Sequence, residues 1–184
     1  MDAKDASLDR PALMKSIEEA FRDGHFMQAH KDLDQALAAE PDDVPLLMLR
    51  ALAQSKLALW EGAQKDFAKA RALDPEDPEA WLGEGICLAM RQDVYPALDL
   101  LEEILQRQPA FVRGHIQIAR YYYKLCVSGK GKAHLQAALA ADPSLDERRE
   151  IDALLKGEAL LDQKRMYRPD FEALRREKAA RAGA

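Results

Sequence analysis

Histidines, cysteines, neighbouring carboxylates and glycine-flanked lysines are the groups in this chain that could do chemistry, and their spacing decides what they can do. His25 and His30 stand five apart across an expected helix break, poor geometry for a shared metal. Neither they nor His115 and His134 sit in a His-Glu-x-x-His context, so surface or packing roles are expected for all four. Cys87 and Cys126 lie far apart in the chain, each in apolar surroundings. That is neither a disulfide framework nor a metal-ligand pattern, and both are expected to pack as small hydrophobes. Glu18-Glu19 and Glu102-Glu103 are adjacent on helices, so their side chains diverge and cannot share an acid/base task. Ser128-Gly129-Lys130-Gly131-Lys132 has neither the four-residue gap between glycines nor the Ser or Thr after lysine of a phosphate loop. Its glycines are expected to loosen a turn, and its lysines at a helix start to hold an anion weakly at most. No Gly-x-Ser-x-Gly elbow occurs. The residues therefore give no reason to expect an enzyme, a metal or a cofactor.

The elements that must carry these residues are those of a globular chain. Of 184 residues, 48% are hydrophobic and 32% charged, which excludes a disordered polymer. No run of 18 apolar residues could span a membrane, and Met1 to Arg10 lacks the apolar heart of a secretory leader, so a cytoplasmic address is expected. A net charge of −5 argues against nucleic acid as a partner. The charge is uneven: Lys164 to Ala184 holds seven Lys/Arg against three Asp/Glu.

One 34-residue period organises the chain. Pro41, Pro75, Pro109 and Pro143 keep that spacing, and twelve residues before them come Ala29, Ala63, Ala97 and Gly131. Eight residues before each proline come Leu33, Phe67, Leu101 and Leu135; five before come Ala36, Ala70, Ile104 and Ala138. Leu13, Ile17, Ala20 and Phe21 recur at helical spacing, as do Ala29, Leu33, Ala36 and Leu37 beyond Asp23-Gly24. Each repeat thus reads as two helices. The small column lets their backbones approach, the bulky column fills the space beside it, and proline marks the connection. Asp43 before Val44-Pro45 and Asp77 before Pro78 read as N-caps followed by an early-turn proline.

This pattern resembles the tetratricopeptide repeat (TPR) family, whose 34-residue unit runs Trp-x2-Leu-Gly-x2-Tyr, Ala-x3-Phe, Pro. Trp81, Gly85, Leu88, Ala97, Leu101 and Pro109 match it in the third repeat, with Glu84 where leucine is usual. Ala63-x3-Phe67 matches in the second, and Tyr122 in the fourth. The resemblance implies an all-α, right-handed superhelical solenoid of antiparallel helix pairs, with repeats at 10–43, 44–77, 78–111 and 112–145. A capping helix over 145–165, striped by Ile151, Leu154, Leu155, Ala159 and Leu160, covers the end of the stack. Residues 1–9 are expected as a flexible tail and 166–184 as a basic segment.

Beyond the stripe that pairs each first helix with its partner, further apolar residues remain: Met14 and Phe21, Met48 and Leu52, Leu82, Ile86 and Met90, Ile116 and Tyr123. In TPR proteins such positions line a concave groove that takes peptides or partner helices, so the resemblance implies an apolar groove with Arg113, Arg120 and Lys124 toward one end. Some TPR co-chaperones clamp a terminal carboxylate with Lys, Asn and Arg. The matching positions here are Met14, Glu18, Leu49, Glu79 and Gly83, so a clamp of that kind is not expected. The function expected is a non-catalytic adaptor that binds a protein or peptide, with chaperone-like capture as one form of it. The alternative is a structural protein that self-associates into a homo-oligomer through the same apolar face. The small column supplies a first test of the helix pairing. Ala97→Leu should overpack the seam and lower stability by about 1–3 kcal/mol, read as a fall in melting temperature. An unchanged melt would mean that the helices are paired differently.

Overall fold

Helix follows helix because each apolar stripe is closed off by a local stop signal. The computed structural model describes residues 10–91 and 94–166, with side chains described as far as residue 157. The expected N-terminal tail, the side chains of Ala159 and Leu160 and the segment 167–184 lie outside what is described. Among the described residues there are nine helices and no strand: α1 (Arg10–Arg22), α2 (Phe26–Ala39), α3 (Val44–Lys56), α4 (Trp60–Leu73), α5 (Pro78–Met90), α6 (Val94–Arg107), α7 (Val112–Lys124), α8 (Ser128–Ala140) and α9 (Leu145–Met166). Consecutive helices from α1 to α6 pack on one another as antiparallel neighbours, and so do α8 and α9. The chain divides into two compact units, one up to Gly114 and one from His115.

The connections repeat as faithfully as the helices. Asp43 and Asp77 cap α3 and α5, each carboxylate accepting a backbone N–H, from Leu46 at 2.9 Å and from Glu79 at 3.0 Å. Pro41, Pro75 and Pro109 all lie just beyond the end of a helix. After α8 the device changes. Ser144 and Glu147 form a reciprocal cap, with Glu147 accepting from the Ser144 N–H (2.9 Å) and hydroxyl (2.7 Å), and α9 follows.

The turn inside each repeat is a second recurring device, one that the residue types conceal. Gly24, Ala58 and Cys126 fall in one column of the repeat and all have left-handed backbone, with φ of 75°, 58° and 61°. The residue after each donates its N–H five residues back, His25 to Ala20 (2.7 Å), Leu59 to Gln54 (2.9 Å) and Val127 to Tyr122 (2.8 Å). This is the Schellman closure, which satisfies carbonyls the helix end would leave bare. Two expectations are corrected here. Cys126 is exposed at a turn apex and does not pack as a small hydrophobe. Gly129 and Gly131 lie inside the first turns of α8 and loosen no turn; Gly131 is buried, and a Cβ there would come within 2.5 Å of the Tyr123 ring.

In the first unit the small column is where backbones meet: Ala29, Ala63 and Ala97 have no exposed surface, and Leu33, Phe67 and Leu101 fill the space beside them. Two buried carboxylates are threaded through this core. Arg50 on α3 donates through Nε and one terminal nitrogen to both oxygens of Asp66 on α4, each at 2.7 Å, and through the other to Asp34 on α2 at 2.8 Å. Arg71 on α4 donates to Glu84 on α5 at 2.7 Å, and its guanidinium lies 4.7 Å from the centre of the Trp81 ring. Glu84, the departure from the TPR pattern, is therefore a buried partner for Arg71. In the second unit, Ile151 of α9 is fully buried, Leu154 and Leu155 are half-buried, and Leu135 and Ala138 of α8 are buried.

Left-handed backbone costs an L-residue about 1–2 kcal/mol that glycine does not incur. Part of that advantage is offset by the greater freedom of glycine in the unfolded chain. Ala58→Gly should therefore raise stability by about 0.5–1 kcal/mol in denaturant melts. A loss of stability would show that the turn is held in another conformation.

Candidate functional site

The candidate site lies in the first unit, where α3 and α5 touch across the pair that contains α4. A cavity of about 580 Å3 opens there. That is within the range of small-ligand and peptide-side-chain clefts, roughly 300–1,000 Å3. Met48 and Leu52 line it from α3, Trp60 and Phe67 from α4, and Leu82, Gly83 and Ile86 from α5. Met48 and Leu52 sit one helical turn apart, as do Leu82 and Ile86, so each pair points to one face. Beneath them lies a packed layer of Ala51, Ala63, Phe67 and Cys87.

The width of the cavity depends on a missing side chain. A Cβ built on Gly83 would run into the Phe67 ring. Phe67 therefore occupies the place that a side chain at 83 would take, and the apolar floor is continuous from α3 to α5. Cys87 adds no reactivity to this floor. Burial pushes its thiol up from the ordinary value, and the contact with the Ser55 hydroxyl at 3.8 Å only partly offsets that.

Polar groups stand at the two ends. At one, Asp77 is committed to its cap, and Glu79 takes Arg113 in an ion pair at 2.5 Å. At the other end stand Ser55, whose hydroxyl donates to the Ala51 carbonyl at 2.8 Å, and Lys56 in the last turn of α3. Lys56 makes no ion pair with any described residue.

The sequence-predicted groove residues divide into three groups. Met48, Leu52, Leu82, Ile86 and Arg113 come together around the cavity, although Leu82 is only 4% exposed and serves as floor. Met14 and Phe21 are half-buried against the core that runs from α1 to α5, Phe21 edge-on to Phe26, and Met90 is exposed without lining the cavity. The remaining residues belong to the second unit: Ile116 is buried, Tyr123 is half-buried over Gly131, Arg120 pairs with Glu150 at 2.7 Å, and Lys124 is exposed. Sequence reasoning missed Trp60, Ser55 and Lys56. The helical spacing of Ser55 and Lys56 from Met48 and Leu52 held the signal; Trp60, opening α4, had none.

Outside the cavity, His115 and His134 meet with their Nδ1 atoms 3.1 Å apart, so one ring donates and the other accepts. Tyr122 stacks on His134, with centroids 5.8 Å apart. Among the described residues, no cluster of three or more His, Cys, Asp or Glu could hold a metal, and no helix is long and apolar enough to cross a membrane.

No family model matches the chain. Mouse tetratricopeptide repeat protein 28 is 33% identical over a 90-residue alignment that covers 45% of this chain and only 4% of that protein; for its human counterpart the figures are 32%, 75 residues, 41% and 3%. The chain thus spans a small fraction of the curated relatives it matches. Among solved structures, a thermophilic TPR protein of Thermus thermophilus superposes with a TM-score of 0.70 at 20% identity, covering 83% of this chain and 84% of that one. YrrB, a TPR protein with an unusual peptide-binding site, gives 0.66 at 18% identity, covering 84% and 76%. MamA gives 0.64 at 18% identity, covering 85% and 86%. With the 34-residue pattern and the paired helices, these likenesses show that the chain has the tetratricopeptide-repeat fold.

Proposed function

We propose that this chain is a non-catalytic protein-interaction module that captures an apolar peptide or helix of a partner in the α3–α5 groove. One observation carries the reading: an open cavity floored by Met48, Leu52, Phe67, Leu82 and Ile86, on a helix face that no described part of the first unit covers. Leu52 is 43% exposed despite lying among large apolar neighbours. An apolar surface of this kind gains free energy when a second apolar surface excludes its water. The peptide-binding site of the structurally similar YrrB lends support by analogy of fold. A cytoplasmic setting, a partner other than nucleic acid and a chaperone-like role are parts of the same proposal.

Leu52→Glu combined with Ile86→Glu tests it. Both line the cavity, from matching positions of the second and third repeats. Carboxylates in an open groove stay hydrated, so the circular dichroism spectrum and melting temperature should change little. An apolar ligand brought over them would desolvate two unpaired charges, at a cost of several kcal/mol. Fluorescence titration with an amphipathic helical peptide should therefore show binding to the parent and none to the variant. Equal binding by both would overturn the groove. Conversion of an oligomeric parent to monomers in light scattering would assign the face to self-association instead. An unfolded variant would make these residues core.

A further inference from the structure

This inference rests on the groove reading just given and adds the charge of its ligand. Every ionic group on the wall but one is already committed. Asp77 holds the N-terminus of α5, and Glu79 and Arg113 neutralise each other. Lys56 stands at the opposite end, beyond Leu52 and beside Trp60, exposed and with no carboxylate partner among the described residues. Helices α3 and α5 run parallel, since each is antiparallel to α4. The C-terminal end of α3 and the N-terminal end of α5 are therefore the two ends of the groove. From Glu79 to Ile86 is two helical turns, about 10 Å at roughly 1.5 Å per residue.

We infer that the groove selects an amphipathic peptide whose apolar side chains, one turn apart, are followed about one turn later by a carboxylate that meets Lys56. The apolar pair occupies the space between Met48–Leu52 and Leu82–Ile86, and Trp60 flanks the end where the charge is read. A cation in the same place would approach Lys56 with nothing to neutralise either group. A charge at the far end would have to break the Glu79–Arg113 pair to gain a partner. The ligand is thus read by its polarity as well as by its apolar content.

Two synthetic peptides test this, of sequence type Leu-x-x-x-Leu-x-x-Glu and Leu-x-x-x-Leu-x-x-Lys, otherwise identical. Each is titrated at low salt into the full chain and into Lys56→Glu and Lys56→Gln, with tryptophan fluorescence as the readout. Lys56 is exposed, so the expected preference for the glutamate peptide is modest, about threefold to fivefold. It should reverse in Lys56→Glu, vanish in Lys56→Gln, and fade for the parent at high salt. Both peptides binding the parent equally well, with no response to either variant, would overturn the polarity and leave the groove reading standing. Failure of both peptides to bind the parent would overturn the two together.

Discussion

Close approach of helix backbones is the constraint on which the rest of this structure depends. Ala29, Ala63 and Ala97 are fully enclosed because nothing larger than a methyl group fits where one helix of a repeat lies on the other. Gly131 carries the same demand further, since even a methyl group there would strike Tyr123. With the helices this near, the bulky column beside the contact must fill what remains, and Leu33, Phe67, Leu101 and Leu135 do so almost without exposure. The groove is a consequence of the same geometry. At Gly83 the neighbouring Phe67 ring takes up the missing volume, so the apolar floor runs on from α4 to α5.

Charge adds specificity to packing. Helix α4 carries Asp66 and Arg71, one of each sign, and finds the complement on each neighbour, Arg50 on α3 and Glu84 on α5. A buried charge left without its partner costs about 3–5 kcal/mol. A sliding or exchange of neighbours along the stack would strand both at once. Helix pairs with similar apolar stripes could pack in several orders; these two ion pairs favour one. The guanidiniums of Arg71 and Arg107 both lie over the Trp81 ring, 4.7 Å and 5.2 Å from its centre.

The fold was legible because its determinants are residue types in fixed columns. Prolines, alanines and the Asp43 and Asp77 caps announce themselves at 34-residue spacing. The left-handed column was not legible, because Gly24, Ala58 and Cys126 share a backbone conformation and no chemistry. The exposure of Cys126 is hidden for the same reason, and the burial of Gly131 because its partner, Tyr123, lies on another helix. Of the groove, the helical spacing of Met48, Leu52, Leu82 and Ile86 marked the walls. It could not show that Met14 and Phe21 pack on the core without lining the cavity, or that Trp60 turns toward the cavity from the start of α4. Periodicity gives the face of a helix; what stands opposite that face is a tertiary fact.

Methionine provides the most direct check on where a ligand sits. Met48 lines the cavity, whereas Met27 and Met90, both more than half exposed, do not. With methionine methyl groups isotopically labelled, a nuclear magnetic resonance titration with an amphipathic apolar peptide reports on all three positions in one experiment. Capture in the α3–α5 groove predicts that the Met48 methyl resonance moves with saturation while those of Met27 and Met90 stay in place. Movement at Met27 or Met90 with Met48 unchanged would contradict it and place the interaction on another face.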